Sequence, residues 1–435
     1  MSNQSTKNND MNDDGMLNAE TQRKLPQGKI LQPKLRFKGF TDPWQQRKLG
    51  EVTSSLSAGR SVNALDAYPG EEEVGVLKTS SVSDDSFNPH ESKTVVKDER
   101  GLVQCPVEAG TIIVSRMNTP ERVGSCGLVV KAQSNLYLPD RLWKLKLKSG
   151  TDSRFLHVLL TSNIYKSRIV RMATGTSGSM HNIPKDSFLD MRIVLPDIAE
   201  QTRIGEFFRA LDDLIAAAKK KADLLKLKKR YYLQAIFSQH LRFKGFTKPW
   251  QQRKLGDVCK VSKNINKTQY SQSDVLSVSR DAGVVNQVQY QGRSFASNDL
   301  SRYRTVTPQS LIYTKSPLKV APYGIMISSH VHGIVSPLYA VYQCPNNYNH
   351  FLSYFFSSSA TLNNYLKPLV AKGAKNTINV SDCDAANGMV PYVNAEEVDA
   401  IVFIFQILDT LIEEVKDKHD LICRKKAFFL QKMFV

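Results

Sequence analysis

Two sets of residues in this chain have the types that nucleic-acid recognition uses. The first is Lys78, Arg116, Asn118 and Arg122, followed by the run GTSGSMHN (Gly175 to Asn182), which carries Ser177, Ser179, His181 and Asn182. The second is Arg280, Lys315 and Lys319, followed by AKGAKNTIN (Ala371 to Asn379), which carries Lys375, Asn376 and Asn379. Cationic side chains hold phosphates, and arginine and asparagine can also make paired hydrogen bonds to guanine and adenine edges. For any single one of these residues a solvated surface position is the commoner role. The two polar runs gain weight from their placement, each about 20 to 30 residues ahead of a long helical segment.

The charge balance points the same way. In 435 residues there are 59 Lys and Arg against 41 Asp and Glu, a net charge of +18. Such an excess favours polyanionic partners, nucleic acid first and an anionic membrane surface second. Motifs of energy or group-transfer chemistry are missing. The Gly28-Lys29 pair lacks the flanking residues of a phosphate-binding loop, no two prolines are adjacent, and no H-E-x-x-H or G-x-S-x-G occurs. This argues against an ATPase or an adenine methyltransferase within the chain. The six cysteines (105, 126, 259, 344, 383 and 423) include no C-x-x-C pair. They read as free thiols of a reducing cytoplasm, with no metal site. The polar N-terminus has no signal-peptide pattern and no apolar run reaches 18 residues, so a cytoplasmic location away from membranes is expected.

The elements that must position these residues are repeated. LRFKGFTDPWQQRKLGEV (Leu35 to Val52) returns as LRFKGFTKPWQQRKLGDV (Leu241 to Val258), an offset of 206 residues. That is too long for a solenoid period and fits two whole domains opened by one segment. Leu211-Asp212 returns as Leu408-Asp409, and LQAIF (Leu233 to Phe237) as LQKMF (Leu430 to Phe434), both at an offset of 197.

From about 200 to 240 the chain reads as one helix with a heptad seam of Ile204, Phe208, Leu211, Ile215 and Leu225; Lys229 occupies a seam slot. The second helix repeats the register with Ile401, Phe405, Leu408, Ile412 and Ile422, and with Lys426 in the equivalent slot. Phe207, Leu214, Ile404 and Leu411 widen the apolar stripe and could meet a partner subunit, or the chain's own domains. Short apolar runs between turns mark the intervening regions as compact mixed α and β domains. The division expected is a disordered tail at 1–34, a domain at 35–199, a spacer helix at 200–240, a second domain at 241–393 and a second spacer helix at 394–435.

Taken together, the repeated L-R-F-x-G-F…W…K-L-G-x-V opening, two differing inserts and two helices of like register resemble the specificity subunit of type I restriction–modification systems. Leu195-Pro196 with Glu200-Gln201 before Phe207-Phe208, and Ser336-Pro337-Leu338-Tyr339, add to the resemblance, which spans about 35 to 435. It implies an α+β protein. Two α/β target-recognition domains are joined by two long antiparallel coiled-coil helices in a pseudo-two-fold repeat. It implies a non-catalytic reader of a bipartite, asymmetric double-stranded DNA site, with no cofactor of its own. Two modification (methyltransferase) subunits would supply S-adenosylmethionine and adenine methylation, and restriction (motor-nuclease) subunits ATP- and Mg2+-dependent cleavage. One junction departs from the pattern: FLDMRIVLP (Phe188 to Pro196) has CDAANGMVP (Cys383 to Pro391) opposite it, and Glu200-Gln201 becomes Glu397-Val398. Two other readings stay open at this point, a stand-alone DNA-modifying or nicking enzyme and a basic coiled-coil scaffold.

Overall fold

Ile112, Ile113 and Val114 are consecutive and all buried, so the strand that carries them must be covered on both faces. In the computed structural model it lies in a four-stranded antiparallel sheet ordered Cys126–Leu128, Ile112–Ser115, Leu142–Leu147, Thr53–Ala58. Ile112 and Val114 face a core shared with the helix Ser153–Thr161. Ile113 faces a second core with Leu77, Val82 and Leu136, built on a five-stranded sheet. The structure describes residues 32–434 apart from 84–85, 178–179, 281, 315–321, 370 and 373–377. It divides into two units, 1–216 with 420–435, and 217–419.

The second unit repeats this logic. Its sheet runs Lys260–Val261, Tyr339–Gln343, Ser310–Thr314, Ile325–Ser328. Leu311 and Tyr313 face one core, while the intervening Ile312 faces the other with Val341. Beyond that sheet the units differ. The five-stranded sheet of the first unit has no like-sized counterpart among the described residues of the second, where short two-stranded ribbons stand instead.

In both units the repeated Gln-Gln-Arg-Lys is an edge strand paired with the strand that leads into a long helix. Gln45–Lys48 pairs with Arg192–Leu195, and Gln251–Lys254 with Met389–Tyr392. The divergent second junction therefore still forms its strand. Val390 and Val398 are fully buried there, so an apolar contact replaces the hydrogen bonds that Gln201 makes to Asp152 N and Pro196 O. The repeated Leu-Gly has a steric reason. A Cβ on Gly50 would lie 3.3 Å from Leu189 O, and one on Gly256 3.3 Å from Ala386 O.

The long helices span Ile198–Phe237 and Ala395–Lys432. Within the first unit Phe207 meets Phe429 and Phe208 meets Phe434, and within the second Phe237 stacks on Phe405. From Phe207 to Asp212 the first helix meets Phe429 and then Lys426, and from Lys229 to Phe237 it meets Asp409 and then Phe405, so the helical segments run antiparallel in each unit.

One expectation is corrected. Cys259 and Cys344 form a disulfide. The antiparallel pairing of Lys260 with Gln343 sets these neighbouring residues opposite one another, which no spacing rule in the sequence reveals. The other four cysteines carry no disulfide. Among the described residues no helix is long and apolar enough to cross a membrane.

Candidate nucleic-acid interface

Each reader is fixed to its long helix by the same clamp. Asp197 accepts a hydrogen bond from Glu200 N, which caps the first helix and points the Glu200 side chain back at the opening segment. Arg36 Nε and Nη2 donate to its two carboxylate oxygens at 2.8 and 2.6 Å, and Trp44 Nε1 donates at 3.1 Å. In the second unit Asn394 caps Glu397 N, and Glu397 accepts from Arg242 at 3.0 and 2.7 Å and from Trp250 at 3.1 Å. Both carboxylates are buried. The paired, charge-assisted bonds raise the guanidinium pKa of Arg36 and of Arg242, the hydrogen bond to the glutamate being the main cause. Neither clamp stood out from residue types alone. The available signal was that Arg36, Trp44, Arg242 and Trp250 all lie in the repeated segment.

On this frame the first unit gathers most of its assigned reader residues. Met117–Asn118 pairs with Met180–Asn182, setting Asn118 opposite His181 and Met117 opposite Asn182. Thr174–Ser177 flanks them, with Ser177 opposite Met180; Ser179 lies outside the described residues and the Ser177 side chain is not described. Arg116 precedes this ribbon and lies over the Trp143 ring at 5.7 Å. Arg122 is exposed on the adjoining turn. Beside Arg122 sits Glu121, whose carboxyl is held below its ordinary range by its own backbone N–H first, then by Thr119 and the Arg122 charge. Asn118 is turned inward: its amide donates to Ser115 Oγ and accepts from Thr119 N. It shapes the turn. Arg122 is exposed and Arg116, His181 and Asn182 are half-buried around the ribbon, and the Asn182 carboxamide oxygen is buried without a donor among the described residues.

Lys78 belongs to a separate cleft of about 620 Å³, lined also by Asn63, Lys93 and Arg141. Its ammonium meets Asp66 at 2.8 Å, with Lys93 at 3.8 Å from the same carboxylate. The Lys78 hydrogen bond is the main reason the Asp66 pKa falls below its ordinary value. Arg141 links this cleft to the ribbon, because its carbonyl accepts from Arg116 N. Lys93 comes to Lys78 through the pairing of Gly75–Leu77 with Ser92–Val95, which residue types do not reveal.

In the second unit Arg280 is exposed and donates to Ser359 Oγ at 2.6 Å. Asn379 is opposite Ala371 in a short ribbon, its side chain undescribed. Lys315, Lys319, Lys375 and Asn376 lie outside the described residues. Arg293, which no spacing in the sequence marks, lies over the exposed Phe295 ring at 4.5 Å.

The helix seam and the outer stripe separate clearly. Ile204, Phe208, Ile401, Phe405, Leu408 and Ile422 are buried, while Leu211, Ile215, Leu225 and Ile412 are half-buried. Phe207 and Ile404, assigned to a subunit interface, instead serve the chain's own cores. Phe207 packs edge-on against Phe37 of the opening segment, and Ile404 packs against the core of the second unit. Leu214 and Leu411 are exposed, at 51% and 38%. Exposed with them are Leu224 and Tyr231, and their counterparts 197 residues on, Leu421 and Phe428. The seam lysines are paired: Lys229 donates to Asp409, and Lys426 to Asp212.

Comparison with known proteins agrees with this arrangement. Residues 41–227 match the family model described as type I restriction modification DNA specificity domain. The chain is 28% identical over 177 residues to the type I restriction enzyme EcoEI specificity subunit of Escherichia coli; this covers 39% of the chain and 30% of that protein. It is 20% identical over 420 residues to the type I restriction enzyme MjaX specificity subunit assigned in Methanocaldococcus jannaschii, covering 88% of the chain and 91% of the relative. The S subunit of a type I restriction–modification system from M. genitalium shares the fold, with a TM-score of 0.60 at 15% identity over 93% of this chain and 99% of that one. On these matches, residues 41–227 form a type I restriction modification DNA specificity domain, and the chain as a whole resembles type I specificity subunits in fold and in its repeated frame.

Proposed function

We propose that the chain reads a split, asymmetric double-stranded DNA site, each unit taking one half, and does no covalent chemistry itself. The observation that carries this reading is the contrast between frame and insert. Clamp, edge strand and helix seam recur position for position, while the loops and sheets they hold differ. Arg116, Arg122, His181 and Asn182 would read or hold the first half-site, with Lys78, Lys93 and Arg141 on adjoining phosphates. Arg280 and the polar run 371–379 would serve the second.

The exposed Leu214, Leu224 and Tyr231 and their counterparts Leu411, Leu421 and Phe428 would each dock one modification subunit, because a repeated surface suits a repeated partner. Those subunits would bring S-adenosylmethionine, and restriction subunits would bring ATP and Mg2+. This reading implies a cytoplasmic setting.

Binding in the assembled complex should follow phosphate neutralisation. If 6 to 10 phosphates are engaged, affinity for duplex DNA falls roughly 10³- to 10⁵-fold between 50 and 200 mM salt. An affinity that stays flat over that range contradicts the reading.

A further inference from the structure

The two long helices repeat their seam, but one row of cations is not repeated. Lys219, Lys226 and Arg230 are exposed on the first helix. Spaced by seven and four residues, they lie on one face and span ~16 Å. At the equivalent places on the second helix stand Lys416, Cys423 and Ala427. The outer apolar residues Leu224 and Tyr231, by contrast, keep apolar counterparts in Leu421 and Phe428. Lys416 keeps the first cation, but Cys423 and Ala427 drop the other two, so the row as a whole is missing from the second copy and is not a requirement of the fold.

It also costs the helix something. Lys226 and Arg230, four apart, repel one another. Among the described residues the one ion pair to the row is Lys226 with Asp223 at 3.9 Å, between exposed groups. A lightly neutralised row of like charge, beside but distinct from the repeated apolar stripe, calls for a polyanion present once in the assembly.

We propose that Lys219, Lys226 and Arg230 hold phosphates of the duplex bound by this chain, outside the loops that read bases. The inference rests on the reading that the chain binds duplex DNA. Lysine and arginine here carry charge without base readout, so the row adds affinity and leaves the recognised sequence unchanged. A straight row of ~16 Å can reach two or three phosphates.

The test uses the full chain assembled with its modification subunits and a duplex of about 40 base pairs. The variant combines Lys219→Ala, Lys226→Ala and Arg230→Ala; alanine favours helix and already occupies position 427. The slope of log affinity against log salt should become shallower by about two to three, at ~0.9 per phosphate. Assembly with the modification subunits should be unchanged, and the unfolding midpoint should not fall. A charge-preserving variant, Lys219→Arg with Lys226→Arg and Arg230→Lys, should keep the parent slope. An unaltered slope in the alanine variant overturns the proposal. So does loss of a modification subunit with the slope retained, which would make the row a protein contact. A parent complex that binds no duplex would remove the proposed function as well, so the two failures are distinguishable.

Discussion

Lys426 donates to Asp212 at 2.5 Å, and the same bond is made again, from Lys229 to Asp409, by the residues 197 positions away from each partner. A charged group in a helix seam costs stability unless it is paired. Each unit thus meets its own seam lysine with the aspartate of the repeated Leu-Asp. The second pair is reinforced: Tyr354 OH donates to Asp409 Oδ2 at 2.9 Å, and the Lys229 ammonium lies 5.2 Å from the Tyr354 ring.

These pairs should be separable by charge reversal. Lys229→Asp places two carboxylates together and should destabilise the second unit by about 1–3 kcal/mol. Adding Asp409→Lys should recover most of that loss. Thermal unfolding of the parent, both single variants and the double variant measures the coupling. Losses that simply add would mean that the contact carries no energy.

The clamp should matter more. Glu200 is fully buried and satisfies three donors from the opening segment. Glu200→Ala leaves the partly buried Arg36 guanidinium without its anion, a change that costs roughly 3 kcal/mol, the low end for a buried pair. The first unit should unfold at markedly lower denaturant concentration, seen by fluorescence of Trp44. A midpoint within the error of the parent would show that the clamp is incidental.

Acid should loosen the first reader through Glu108. Its pKa lies below the ordinary value, chiefly because Lys144 and then Lys146 donate to it. A depressed carboxylate contributes stability above its unfolded pKa, near 4.5, and loses it as pH falls through the lower folded value. Glu108→Gln should therefore reduce stability at neutral pH and flatten its decline below about pH 4.5. Parallel stability curves for parent and variant would contradict this.

The first half of the chain should form a working two-fold dimer. Leu35 N donates to Lys432 O, and Leu241 N donates in the same manner to Ala235 O, the residue equivalent to Lys432. Phe434 packs on Trp44, and its counterpart Phe237 packs on Trp250. A fragment of residues 1 to about 243 therefore carries its own substitutes for Lys426, Lys432 and Phe434 in Lys229, Ala235 and Phe237. Two copies should associate and, with modification subunits, methylate an inverted repeat of one half-site. Sedimentation shows the association and sequencing of methylated positions shows the site. A monomeric fragment, or methylation of the intact chain's asymmetric site, would contradict it.

Much of the frame was legible because repetition is visible without geometry. The seam slots of Ile204, Phe208, Ile401 and Phe405 followed from heptad spacing alone, and those residues are buried. What pairs across the chain was not legible. Glu200 and Glu397 acquire their meaning only when Arg36, Trp44, Arg242 and Trp250 are folded onto them. Asn118 has the residue type of a base reader, yet a turn uses both ends of its amide. Phe207 and Ile404 had the right spacing for an outer stripe, but Phe37 of the opening segment packs on Phe207 and the core of the second unit takes up Ile404, which periodicity cannot report. The disulfide of Cys259 with Cys344 depends on strand register in the same way.

The central claim is that two different readers on one frame select two different half-sites. It is tested most directly by mapping methylated adenines in DNA from a host that carries this chain with its modification subunits, beside a host in which residues 259–393 are replaced by the equivalent insert of a relative. The account predicts a split asymmetric site in the first host. In the second, one half should change while the other half and its methylation persist. Methylation that is symmetric in the parent, independent of the chain, or altered in both halves by the exchange would contradict it.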